Sequence, residues 1–282
     1  MAQKDNQTLA ELTRQGFRFK KELGQYFLFS PMILERIVDL AGIAAGDTVI
    51  EAGAGAGTLT SALAARGAKV KAVELDRALS PYLHNRFQDE ELVSIVTGDV
   101  LRMDLDALAG VPAYKVCANL PYHISSAFVT MLFRRLQGVE SGAVLLQKEA
   151  ADRVTAQPGQ EQYGVLALSA AWYGEVRQAM SIEPDYFYPV PSVESALLVF
   201  KRKPRAFDVD EDVLWRMIRG VFNQRRKHLL NGLKSLQPLV PQRASGWAEI
   251  LEEAGLDYRL RPESLSLEDF AVIVRLAGFG VT

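Results

Sequence analysis

Asp47-Thr48-Val49-Ile50-Glu51-Ala52-Gly53-Ala54-Gly55-Ala56-Gly57-Thr58-Leu59-Thr60 is the stretch whose reading decides the fold. Its first half predicts a buried strand, its glycines a turn, and Thr58-Leu59-Thr60 the start of a helix. Glycine lets the backbone approach a ligand closely, and a helix N-terminus offers unpaired N–H groups. The glycines follow Glu-x-Gly-x-Gly-x-Gly. The dinucleotide fingerprint Gly-x-Gly-x-x-Gly would need glycine at Thr58, so NAD is not favoured. Alone, such a turn is a weak signal. Its weight comes from the strands that follow.

Residues 69–73 read as a second strand ending in Glu74-Leu75-Asp76, about 20 residues beyond the turn, where an acid can take both ribose hydroxyls. A helix is expected over 77–87 and a third strand over 92–96, closed by Gly98-Asp99-Val100; Asp99 can accept from an adenine amino group. Residues 114–118 read as a fourth strand, delivering Asn119-Leu120-Pro121-Tyr122-His123. In a parallel sheet, ligands sit at the carboxyl ends of strands. Asn119 supplies a carbonyl acceptor, Pro121 fixes its own φ and pushes Leu120 towards extended backbone, and Tyr122 offers a stacking face. A planar ring with an exocyclic amine, such as adenine, fits this set. An acid after a strand is more often a cap or a solvated loop residue, and Asn-Leu-Pro-Tyr alone is more often a plain turn. The ordered set is much harder to obtain by chance.

Upstream, residues 1–22 read as a short helix and a basic arm carrying Arg14, Arg18, Lys20 and Lys21. Ser30 is placed to cap a helix over 31–42 with Pro31 at its first position. Downstream, a helix is expected over 124–136, a strand over 143–147 and a helix from Lys148; 166–173 and 195–201 have strand character. Between these last two, residues 183–191 hold three prolines and three aromatics, a stiff aromatic loop. Lys201-Arg202-Lys203-Pro204-Arg205 reads as a domain boundary, beyond which the pattern is helical. Ser266-Leu267-Glu268-Asp269 resembles a capping box for a last helix ending near Ala277.

Composition narrows the class. The chain has 282 residues, 49% hydrophobic and 23% charged, in the range of soluble globular proteins. No apolar run approaches a membrane span, and the N-terminus lacks an apolar signal region. The single cysteine, Cys117, lies in an apolar strand and reads as core, so a reducing cytoplasm is expected. His84, His123 and His228 are scattered, so no metal site is expected. Net charge is −2, yet residues 201–243 carry eleven Lys/Arg against four Asp/Glu. Within them Arg225, Arg226 and Lys227 are placed to meet phosphates, although a solvated helix surface is the commoner fate of such a run.

From about Lys20 to Ala277 the chain resembles the KsgA-type small-subunit ribosomal RNA adenine N6,N6-dimethyltransferases. The motifs carrying the resemblance are Leu23-Gly24-Gln25-Tyr26-Phe27-Leu28, the glycine turn 51–57, Val73-Glu74-Leu75-Asp76, Gly98-Asp99, Asn119-Leu120-Pro121-Tyr122, Gln147-Lys148-Glu149 and Phe222-Asn223-Gln224-Arg225-Arg226-Lys227. The resemblance implies an α/β fold: a Rossmann-like S-adenosylmethionine-dependent methyltransferase sheet over 1–203 and a small all-helical RNA-binding domain over 204–282. It implies Gly53 against the methionine end of the cofactor, Glu74 on the ribose and Asp99 on the adenine amino group. Gln25, Tyr26 and Leu28 would close over the cofactor, with Gly55, Leu75 and Val100 completing that set. Asn119 would face cofactor and target amine together, Leu120 and Pro121 would shape the receiving turn, and Tyr122 and Phe187 would sandwich the target base. Arg225, Arg226 and Lys227 would hold RNA. Three departures stand out: Tyr26 replaces the family's asparagine, Ala54 replaces proline, and Val190 and Ser192 alter the Pro-Pro-Pro-Lys loop.

The expected activity is therefore methyl transfer from S-adenosylmethionine to adenine N6 in 16S ribosomal RNA, by a monomer acting on small-subunit RNA or a pre-ribosomal small subunit. The rivals are a resistance-type large-subunit RNA methylase, a non-catalytic ribosome-assembly factor and a protein-glutamine methylase.

Overall fold

In a computed structural model of the protein, residues 3–14, 17, 25–204, 207–236, 241 and 246–279 are described. Leu23, Gly24, the basic residues Arg18, Lys20 and Lys21 of the expected arm, and Arg205 lie outside them. The strands are β1 (Phe27–Leu28), β2 (Thr48–Ala52), β3 (Lys69–Glu74), β4 (Val93–Thr97), β5 (Tyr114–Asn119), β6 (Val139–Gln147), β7 (Gly174–Ile182), β8 (Phe187–Tyr188) and β9 (Ser195–Arg202). Seven form one sheet, in the order β4-β3-β2-β5-β6-β9-β7. The strands from β4 to β6 are parallel, and β9 returns antiparallel to β6. Strands covered by helices on both faces read as continuous apolar runs, as Val116, Cys117 and Ala118 do; all three are buried. Burial also pushes the Cys117 thiol up to about 12, so it stays protonated.

Chain order leaves β2 in two directions, to β3 on one side and β5 on the other. That reversal opens a crevice at the carboxyl ends of the strands, where a doubly wound sheet takes its ligand. β1 and β8 form a separate antiparallel pair, with Phe27 opposite Tyr188 and Leu28 opposite Phe187. The helix Pro31–Leu40 begins with Pro31 as expected, but the Ser30 side chain makes no capping bond. Close packing of β5 on β6 depends on Gly142: a Cβ there would lie 1.8 Å from the Val116 carbonyl oxygen and 2.9 Å from the Phe200 ring. Gly142→Ala is therefore expected to destabilise the protein by about 3 kcal/mol, because neither backbone can give way freely. An unchanged urea midpoint would contradict this packing.

The chain divides into two units, Met1–Ala151 with Glu175–Arg202, and Asp152–Gly174 with Lys203–Thr282. The division was expected at 203/204; in the structure the second unit takes Lys203 onward together with residues 152–174. The reason is the segment expected to be a strand over 166–173. It is the helix Val165–Tyr173, buried on almost every side, so its apolar residues carry no period. Trp172 meets Trp215 edge-on at 6.1 Å, and the Tyr163 hydroxyl donates to the Leu265 carbonyl at 2.8 Å. The helices Glu211–Phe222, Leu229–Lys234, Trp247–Glu253 and Leu267–Leu276 supply the remaining core of this unit. Ser266 and Asp269 form the expected capping box.

Candidate active site

The carboxyl ends of β2, β3, β4 and β5 open into one cavity of about 430 Å3. Gln25, Tyr26, Leu28, Gly53, Gly55, Glu74, Leu75, Asp99, Val100, Asn119, Leu120 and Pro121 all line it. The parallel register explains this convergence: Ala52 pairs with Val73 and Ala118, and Glu74 with Thr97, so the strands end level.

Glu74 staples the floor. Its Oε2 accepts from the Gly55 N–H at 2.8 Å and its Oε1 from the Asp76 N–H at 2.7 Å. Burial raises the Glu74 pKa, and these two backbone donors pull it back down. Each carboxylate oxygen still has a second lone pair for a ligand hydroxyl. Gly55 has φ +57°, and a Cβ there would lie 3.0 Å from the Phe27 ring. Only glycine suits both conditions. Asp99 accepts from the Leu101 N–H at 3.0 Å and lies 3.4 Å from exposed Arg102.

Two acids at this floor were not singled out from the sequence. Asp76 accepts from the Gln25 side chain at 2.9 Å, tying the N-terminal segment to β3. Its place two residues beyond Glu74 was the available signal. Glu51, 0% exposed, lines the cavity from the next-to-last position of β2. Thr60 donates to its Oε2 at 2.6 Å, while Oε1 has no hydrogen-bond partner among the described residues. Burial pushes the carboxyl from 4.5 up to about 8, against the opposing Thr60 bond. The folded protein then holds a proton that the unfolded chain releases above about pH 4.5, so this group's contribution to stability is present below pH 4.5 and lost as pH rises to about 8. The expected decline is about 1.4 kcal/mol per pH unit in that window. Urea unfolding of wild type against Glu51→Gln should diverge with this slope sign; a pH-independent difference would refute it.

Asn119 closes β5 at the opposite wall. Its Nδ2 donates to the Tyr26 carbonyl at 3.1 Å, which leaves Oδ1 as an acceptor for a ligand. A Cβ on Gly53 would come 3.4 Å from the Asn119 backbone oxygen, so turn and strand tip lie in close apposition. The Tyr26 ring stacks on Tyr122, with centroids 4.8 Å apart and planes at 27°. The Tyr122 hydroxyl lies 3.5 Å from Ser195 Oγ. β1 is anchored over the cavity by Thr58 Oγ1, which donates to the Leu28 carbonyl at 2.8 Å.

Neither Tyr122 nor Phe187 lines the cavity. Phe187 is 4% exposed and packed in the core of its unit, with its backbone paired to Leu28. In the second unit, Arg225, Arg226 and Lys227 occupy the turn after the helix Glu211–Phe222. Arg225 donates to the Glu161 carbonyl at 2.6 Å and lies 3.6 Å from Glu263, whereas Arg226 and Lys227 are exposed.

Comparison with known proteins agrees along almost the whole chain. The profile of the family described as ribosomal RNA adenine dimethylase matches residues 16–271. The ribosomal RNA small subunit methyltransferase A of Geobacter metallireducens is 39% identical over 266 residues, covering 93% of this chain and 96% of the relative. Its namesake from Geobacillus thermodenitrificans is 38% identical over 267 residues, covering 92% and 91%. Among solved structures, a dimethyladenosine transferase from Plasmodium falciparum superposes with a TM-score of 0.75 at 24% identity, covering 91% of this chain and 100% of that one. The 23S rRNA methyltransferase ErmE gives 0.65 at 22%, covering 89% and 98%. At such identities the two structures speak for the fold alone.

Proposed function

Because the chain belongs to the ribosomal RNA adenine dimethylase family, we propose that it methylates N6 of adenines in small-subunit (16S) ribosomal RNA during ribosome biogenesis, with S-adenosylmethionine as donor and N6,N6-dimethyladenosine as product. The observation that carries this reading is the meeting of the glycine turn, Glu74, Asp99 and Asn119 around one cavity. The protein acts as a cytoplasmic monomer on ribosomal RNA or a small-subunit precursor. Catalysis belongs to the first unit, and RNA holding to the second.

The residues present fit the cofactor. At Gly55, φ +57° and the Phe27 ring 3.0 Å from where a Cβ would lie keep the turn tight along the cavity wall. Glu51 leaves one buried oxygen without a hydrogen-bond partner among the described residues, and Glu74 and Asp99 supply acceptors for hydroxyls and an amine. Gly53, Gly55, Glu74, Leu75, Asp99 and Val100 would hold the cofactor, with Gln25, Tyr26 and Leu28 over it. S-adenosylmethionine supplies an electrophilic methyl group on a sulfonium centre.

The protein's part is orientation and electrostatics. Adenine N6 is a weak nucleophile because its lone pair is delocalised into the ring. Asn119 Oδ1 and the Leu120 carbonyl accept its two N–H bonds, which favours a tetrahedral nitrogen and frees the lone pair. Each transfer would form one N–C bond as the donor's S–CH3 bond breaks, the sulfur leaving as a neutral thioether and one N6 proton passing to water, so no strong base is needed. The adenine must be unpaired or flipped out to arrive. Arg226 and Lys227 hold phosphates without reading sequence. Replacing each with alanine should lower the salt slope of RNA binding by about one; an unchanged slope would remove them from the interface.

The test is transfer of labelled methyl groups to isolated unmethylated small subunits and to large-subunit RNA. Label on small-subunit adenines, two methyls each by mass, is expected. Label confined to large-subunit RNA would support the resistance-type reading. Failure to bind S-adenosylmethionine would leave a non-catalytic assembly factor.

A further inference from the structure

Strands of a parallel sheet covered by helices on both faces carry apolar residues, and Val49, Ile50 and Ala52 of β2 obey this. Glu51 does not: a carboxyl sits inside that run, 0% exposed, and lines the cavity. We propose that Glu51 tells the methyl donor from its product, giving up a proton when S-adenosylmethionine binds and keeping it when the neutral thioether product binds. This rests on the S-adenosylmethionine reading above. Sheet order places the charge that Glu51 would meet. Asp99 stands just beyond β4, Glu74 ends β3, Glu51 is next to last in β2 and Asn119 ends β5. These strands are neighbours in that order. A cofactor with its adenine at Asp99 and its ribose at Glu74 runs along the rim towards Asn119, where the methyl acceptor is held. The sulfonium joins the ribose to the transferred methyl, so it falls between β3 and β5, on the side of β2. Glu51 is paired there with Ala72 of β3 and Cys117 of β5.

One oxygen of the carboxyl accepts from Thr60 at 2.6 Å, and Oε1 has no hydrogen-bond partner among the described residues. Burial pushes the group up to about 8, so it is protonated at neutral pH. Its neighbours act in both directions. Thr60, on the helix Thr58–Ala65, pulls it down, while the charge of Glu74 on β3 pushes it up. Cys117 on β5 stays a thiol. Asp76, Arg77, Asp99 and His123 also line the cavity. Their charges are common to both complexes and cancel in a comparison of the two ligands. S-adenosylmethionine and its product differ by one methyl group and one positive charge. A cation brought close in a low-dielectric site favours the ionised carboxyl, and a thioether does not. Below about pH 8 the donor therefore binds with loss of a proton. Glu74 does not make this distinction, because the ribose hydroxyls are the same in both ligands. Two transfers to one nitrogen require spent cofactor to leave between them. Once the charge at sulfur is gone, Glu51 recovers its proton from water and the added attraction is lost.

The test is calorimetric binding of S-adenosylmethionine and of S-adenosylhomocysteine to the full chain, near neutral pH, in two buffers of different ionisation enthalpy. Wild type is compared with Glu51→Gln, whose amide is neutral like the protonated acid and still accepts from Thr60. Wild type should release about one proton more with the methionine form than with the homocysteine form. The donor's advantage in affinity should grow by up to about tenfold per pH unit between about pH 6 and 8. Glu51→Gln should lose that excess proton and that slope, a comparison from which protons exchanged by the ligands' own amino groups drop out. Its affinity for the donor should fall roughly tenfold, with product affinity within about twofold of wild type. Equal proton counts for the two ligands in wild type would overturn the proposal. So would an excess that survives in Glu51→Gln, which would move the proton to Glu74. Binding of neither ligand would sink the S-adenosylmethionine reading itself, and this inference with it. Should Glu51→Gln not fold, the infrared carbonyl band of a protonated carboxyl in wild type decides. Loss of the band with the donor and its retention with the product is expected; retention with both refutes the proposal.

Discussion

Asn119→Ala should reduce methyl transfer by about a hundredfold or more in single turnover while S-adenosylmethionine still binds. Removing one preorganised hydrogen-bonding group aimed at a developing charge typically costs that much. The expectation follows from the orientation of the carboxamide. Its nitrogen is committed to the Tyr26 carbonyl at 3.1 Å, so its oxygen is the atom presented to the cavity. Alanine deletes the acceptor and leaves the Tyr26 carbonyl short of a donor, at about 1 kcal/mol of stability. Asn119→Asp is equally instructive. It keeps an acceptor but cannot donate to Tyr26, and a carboxylate facing that carbonyl should turn away. Wild-type turnover in either variant would show that the amine is held elsewhere.

Glu74→Ala should weaken S-adenosylmethionine binding by roughly a hundredfold, as expected when hydrogen bonds to a charged acceptor worth about 1.5–3 kcal/mol each are lost. Here the carboxylate binds the Gly55 and Asp76 backbone N–H groups at 2.8 and 2.7 Å, so its loss loosens the glycine turn and the end of β3 together. Glu74→Gln should fall between, since one amide oxygen can replace only one of the two acceptors. Burial raises this carboxyl's pKa. Cofactor affinity should therefore weaken as pH falls through that raised value, at a higher pH than for an exposed glutamate. Calorimetric titration across pH checks both statements, and equal affinity of wild type and Glu74→Ala would remove Glu74 from the site.

Much of this site was legible before any coordinates. Parallel strands carry their polar residues at their carboxyl ends, so the positions of Glu74, Asp99 and Asn119 after apolar runs already place them on one rim. The glycine spacing separated this turn from a dinucleotide fold. What stayed hidden has physical reasons. The helix Val165–Tyr173 is buried nearly all round, which erases the 3.6-residue pattern and leaves a run indistinguishable from a strand. The Tyr26–Tyr122 stack and the pairing of Leu28 with Phe187 join residues far apart in the chain, and no local pattern encodes such contacts. Phe187 illustrates the same limit: an aromatic framed by prolines reads equally as a stacking surface or a core residue, and here its ring is packed inside. Arg225 belongs with it. A run of three cations does not say which one is held by Glu161 and Glu263 and which two are left to solvent.

The discontinuous second unit sets the order in which a nascent chain can finish. Residues 152–174 leave the ribosome before β9, yet the groups that Trp172 and Tyr163 meet, the Trp215 ring and the Leu265 carbonyl, are synthesised only later. The sheet can therefore be completed by residue 202 while a greasy segment waits uncovered for its partners. A fragment stopped at residue 203 would carry that segment permanently, which makes it a poor stand-alone enzyme and a ready client for chaperones.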